Sequence, residues 1–218
     1  MQLIRLLGHP FGEQLADKEK EEMDKFLVQH AQGYDFSHGE TGEMFGLAFK
    51  LLVQERFLLQ PKQEHQQPRD HRLRVLQCMR VLMRDASHRS FFVDAGGVHV
   101  LVSLVSELAQ QHFSPSLGDF ASEMLVETLS ILKRFGSLPS LSSTSRDAGE
   151  MKLQRALVAL LSTREALVLQ CVLVAIYQLV QLEEQMHAIG QLGAAETLLC
   201  ILTDYEPSFK VLAADLIE

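Results

Sequence analysis

The stretch ALVLQCVLVAIYQLVQL, residues 166–182, contains no charged residue, no glycine and no proline. An unbroken apolar run of this length is too long for an ordinary strand and reads as a helix. Its apolar residues fall on nearly every face, so neighbouring elements must cover it on several sides. The run is short for a membrane span, and Arg164, Glu165, Glu183 and Glu184 bracket it. We read it as the central buried helix of a soluble helical fold.

The cover comes from copies of one unit. Residues 94–105, DAGGVHVLVSLV, lie over residues 191–202, QLGAAETLLCIL, at a constant offset of 97 that matches the glycine corners and sets Leu101 over Leu198. Between them RALVALLS, 155–162, repeats the second helix, with Leu157 placed 41 residues before Leu198. Leu101 precedes Leu157 by 56 residues, and the Ser-rich 136–150 segment accounts for the excess. Each unit reads as a short helix, a glycine corner, a helix and a long apolar helix. That is the armadillo pattern, whose period is about 40–47 residues. One unit cannot bury a helix like 166–182, whereas neighbours stacked on both sides can. The expected fold class is all-α, an armadillo-like right-handed helical repeat stack, or α-solenoid. A closed helix bundle is the structural alternative.

Working outward, residues 1–60 read as a helical N-terminal region. It holds a short piece at 2–7 and a helix over 13–32 with Leu15, Met23, Phe26 and Leu27 inward. A second helix runs from 43 to 59. A polar loop fenced by two prolines covers 61–70, and armadillo-like repeats fill 71–218. Helices are expected at 71–84, 87–94, from 98 onward, 117–135, 152–161, 183–190, 195–202 and from 209. Residues 136–150 read as a loop. The last apolar run reaches Glu218 without a polar closing face, so we expect the final repeat to be cut short. Phe209, Val211, Leu212, Leu216 and Ile217 would then stand uncovered, and the chain would self-associate.

Composition narrows the function. A formal net charge of −8 argues against nonspecific nucleic-acid binding, which needs a basic surface. Arg69, Arg72, Arg74, Arg80 and Arg84 cluster, and a solvated helix face accounts for them. Cys78, Cys171 and Cys200 sit in apolar helical patterns, which suggests packed free thiols in a reducing compartment. Residues 1–7 are too short for a signal core, and the acidic DKEKEE run follows soon, so a cytoplasmic location is expected. No histidine pair has zinc-protease spacing. His65 and His71 flank the polar loop beside Glu64 and Asp70, where a solvated role suits them better than a metal. His99 reads as half-buried. Glu183 and Glu184 are adjacent and point apart on a helix. No catalytic, cofactor-binding or metal-ligating residue is expected, and no membrane contact.

LRVLQCMRVLMRD, 73–85, and the AGGVHVLVSLV that soon follows resemble the armadillo region that accompanies the catalytic domain in NIMA-related serine/threonine kinases. RALVALLS and LLCILTDYE, 198–206, are similar to it in order and spacing. The likeness covers about 53–218. It implies a regulatory portion of a kinase-like protein, in cell-cycle, ciliary or centrosomal settings. No kinase part is present: the sequence lacks a GxGxxG loop, a VAIK strand, an HRD loop and a DFG motif. The expected function is therefore a non-catalytic protein-interaction or regulatory scaffold. The alternative is a fragment of a serine/threonine kinase whose catalytic domain is missing from the chain. Protein partners are expected, among them a kinase domain in the full-length parent. In peptide-gripping armadillo proteins an Asn recurs on the third helix of each repeat, and the matching places here carry Ile131 and Gln178. Gln178, with Arg80 and Arg84, is the candidate protein-contacting residue.

Overall fold

The computed structural model describes residues 17–30, 69–94, 96–115, 118–136, 146–179 and 183–217, with helices and no strand among them. The helices expected at 2–7 and 43–59, residue Leu15 and the 61–68 part of the polar loop lie outside the described residues. The chain divides into two compact units, 1–100 and 101–218.

In the first unit, α1 (Asp17–Gln29) packs on α2 (Arg69–Leu82), and Met23 and Phe26 are buried as their spacing predicts. Arg74 grips Asp24 with two donors, Nε to Oδ1 at 3.0 Å and Nη2 to Oδ2 at 3.4 Å. Beside this pair Cys78 is fully buried, and burial, helped by the Asp24 charge, pushes its thiol up to about 12.

A turn then leads into α3 (Ala86–Asp94), where Asp85 accepts from the His88 backbone N–H at 3.4 Å, an N-cap contact. Arg89 closes the end of α2, donating to the carbonyls of Met83 and Arg84 at 3.0 and 2.8 Å. Gly96 has φ +78°, which a glycine adopts without strain. A Cβ at Gly97 would meet the buried Phe92 ring at 2.5 Å, so the corner needs both glycines. His99 is exposed, not half-buried, because its turn of α4 (Gly97–His112) buries Val98, Leu101 and Val102 instead.

Helix α4 continues into the second unit. There follow α5 (Gly118–Leu132) with a 3-10 turn at Lys133–Phe135, α6 (Arg146–Leu160), α7 (Ala166–Leu179), α8 (Glu183–Gln191), α9 (Ala194–Asp204) and α10 (Pro207–Asp215). Helix α6 starts at Arg146, so the expected loop over 136–150 is shorter than read. Gly193, at φ +84°, turns α8 into α9 through 80°. Pro207 opens α10, where its missing N–H costs nothing. Leu101, Leu157 and Leu198, the residues that carry the repeat, are all buried.

Helix α7 packs against α5, α6, α10 and the 133–135 turn. Val168, Leu169, Val172, Leu173, Ala175 and Ile176 are removed from water. Cover is less complete than the apolar run alone implies: Leu167 is 69% and Tyr177 50% exposed. A stacked helix is met by its own repeat and by the two beside it, and its remaining side meets none. The thiols differ in the same way. Cys78 is buried, but Cys171 is half-buried and Cys200 exposed, so Cys200 is not a packed core thiol. No single helix among the described residues is long and apolar enough to cross a membrane.

The buried His88 accounts for a pH dependence. Its ring lies 3.1 Å from Asp85 Oδ1, yet burial holds its pKa below the ordinary 6.5. The folded state then binds fewer protons than the unfolded chain as pH drops through 6.5. Stability is full above that pH and is lost as pH falls. Urea unfolding between pH 7.5 and 5 should show wild-type stability falling more steeply than that of His88→Gln. Parallel curves would contradict this.

Candidate interaction surface

The uncovered side of α7 is a single stripe. Leu167, Gln170, Cys171, Val174, Tyr177 and Gln178 are exposed or half-buried, at the three- and four-residue spacing that lines up one helix face. None of them is acidic or basic in the ordinary sense, so the stripe is apolar with amides. Oε1 of Gln178 is buried and accepts no hydrogen bond, a state that costs about 1–3 kcal/mol.

Helix α5 runs alongside and parallel. The Ser122 hydroxyl bonds Glu165 Oε1 at 2.7 Å, just before α7 begins. Further along, Ser130, Glu127 and Lys133 all lie near enough to the Cys171 thiol to shift its pKa. Burial is the main cause that raises the Cys171 pKa; Ser130 and Lys133 oppose it and Glu127 adds to it. A thiol held protonated in this way is a poor nucleophile.

The groups that most resemble catalytic machinery lie at the start of the same two helices. His112, at the end of α4, places Nδ1 2.9 Å from Ser122 Oγ and Nε2 2.7 Å from Thr163 Oγ1. Glu165 Oε1 is 3.9 Å from the ring. Serine, histidine and glutamate are the residue types of a hydrolase triad, but the proton count does not fit. Ser122 has one hydroxyl proton, facing acceptors at Glu165 and Gly118, each at 2.7 Å. That leaves His112 Nδ1–H as the donor to Ser122 Oγ and Nε2 as acceptor from Thr163. A nucleophile must instead give its proton to the base, and Ser122 is buried.

The cluster is a clamp. Thr163 Oγ1 also accepts from the Glu165 backbone N–H at 3.2 Å, and Tyr205 donates to the Thr163 carbonyl at 3.2 Å. His112, Thr163 and Tyr205 each follow or end the middle helix of a repeat, so one network ties three successive layers. Sequence reading missed it, because its partners stand 51, 43 and 42 residues apart.

The candidate residues fall in different units. Arg80 and Arg84 are half-buried in the first unit, and Gln178 is in the second. Ile131 is fully buried core. No group of His, Cys, Asp and Glu suited to a metal occurs among the described residues; His65 lies outside them, as does the side chain of His71. On α10 and just beyond, Val211 and Ile217 are exposed at 61% and 44%, but Leu216 is buried. Packing of α10 on α9 and α7 covers it, so the terminal apolar face is smaller than expected.

Thr163→Val keeps the shape and deletes both side-chain hydrogen bonds of the clamp. It should lower unfolding free energy by about 1–3 kcal/mol, measured by urea titration. A loss within error of zero would mean the network is incidental.

No protein-family model matches the chain. Over 215 residues, 98% of its length, it is 27% identical to serine/threonine-protein kinase Nek10 of Mus musculus and 28% identical to Nek10 of Homo sapiens. The match takes in 19% and 18% of those proteins, so the chain spans about a fifth of their length. A solved engineered protein from the Northeast Structural Genomics Consortium aligns with TM-score 0.61 at 21% identity, covering 99% of this chain and 76% of that one. The chain is an all-α solenoid that resembles a region of Nek10 outside its kinase domain.

Proposed function

We propose that this chain is a non-catalytic protein-interaction module, the regulatory portion of a NIMA-related-kinase-like protein. Its docking surface is the α7 stripe together with the neighbouring face of α5. The observation that carries the reading is the exposure of Leu167 and Tyr177, 69% and 50%, on a helix whose other side is locked in the core. Large apolar side chains lined up on a rigid exposed face mark interaction sites more often than stray surface residues do. The orphaned Gln178 acceptor supports the same reading, since a docked donor would relieve its desolvation. Likeness to a fifth of a kinase, and to its non-kinase part, supports a role in serving a catalytic domain instead of being one. Such a kinase domain is one candidate partner.

Site-directed photocrosslinking tests the surface. A benzophenone amino acid at position 167 or 177 should give protein adducts in cells. The same group at Arg155, exposed on α6, should give few. Equal yields at all three positions would contradict the assignment.

A further inference from the structure

Resting on that reading, we propose that the α5–α7 face takes a bipolar peptide segment, basic at one end, apolar in its middle and acidic at the other. Asp119 and Glu123 stand on the first turns of α5 with Glu127 one turn further on, and Glu165 is hydrogen-bonded near that start to Ser122. One basic neighbour, Arg164, interrupts this end in sequence. The far end carries Lys133 and Arg134 on the 3-10 turn, against which α7 packs. Between the two ends lies the uncharged α7 stripe.

Glu127 and Lys133 stand six positions apart along α5 and the 3-10 turn that ends it, and both lie near enough to Cys171 on the stripe to act on its thiol with opposite sign. Acidic residues early in a helix and basic ones late also complement its dipole. The dipole alone, however, does not require that they flank the apolar stripe of the next helix. From Glu123 to Arg134 the helix rises about 16 Å, a distance that about five extended residues cover. A uniformly basic segment would meet Lys133 and Arg134 as like charges, and a uniformly acidic one would meet Glu123 and Glu127. The net charge of −8 draws basic partners at long range, but the local face favours one charge of each kind.

The test uses the full chain and three synthetic peptide pools. Each has five central positions drawn from Leu, Val, Tyr and Gln. The ends are Lys-Lys and Glu-Glu, Lys-Lys twice, or Glu-Glu twice. In fluorescence anisotropy at low salt, the bipolar pool should bind at least about threefold tighter than either uniform pool, and the gap should shrink with added salt. Glu123→Lys with Glu127→Lys should move the preference to the doubly acidic pool, and Lys133→Glu should move it to the doubly basic one. Equal or tighter binding of a uniform pool to the wild-type chain would overturn the proposal, and that comparison needs no variant to fold. Binding by none of the pools would overturn it too, while strong crosslinks from positions 167 and 177 would still uphold docking on the stripe.

Discussion

Removal of one face of α7 from water holds the second unit together. Val168, Leu169, Val172, Leu173, Ala175 and Ile176 are all covered, and full burial of a large aliphatic side chain contributes about 1.5–3 kcal/mol. No single layer supplies that cover. Helix α6 comes from the same repeat, α5 from the one before and α10 from the one after. Each repeat therefore depends on the next, which is the energetic logic of a solenoid.

Apolar burial is nondirectional and leaves layers free to slip. The His112–Ser122–Glu165–Thr163 network, extended by Tyr205, adds direction where the middle helix of each layer ends. Buried polar groups carry a heavy penalty unless paired, and the buried His112, Ser122 and Thr163 are all paired in this register. The Ser122–Glu165 bond fixes the starts of the parallel helices α5 and α7 beside each other, and so aligns their exposed faces. The docking stripe and its charged flanks thus inherit their geometry from contacts that face inward.

Much of the fold is legible in sequence, for reasons visible in particular residues. The offset linking Leu157 to Leu198 persists because both occupy the same core position. The glycine corners persist because Gly96 and Gly193 adopt positive φ. The exposed stripe of α7 is not legible, since Leu167 and Tyr177 look like core to any hydropathy count. Only the layout of the neighbouring layers shows which apolar residues lack cover. Similarly, Cys200 and His99 share apolar helical runs with buried residues but fall on the solvent side. The clamp escapes for a different reason: hydrogen bonds between residues more than forty positions apart leave no local pattern. Gln178 is legible by its matching position, but its orphaned oxygen appears only in coordinates.

Native-state hydrogen exchange measures the central claim most directly. If the covered face of α7 is what the other layers depend on, amides at 168–176 should be the slowest of the second unit. They should open only at the free energy of global unfolding found by denaturant. Exchange of those amides as fast as the amides of α8 or α10 would contradict the account.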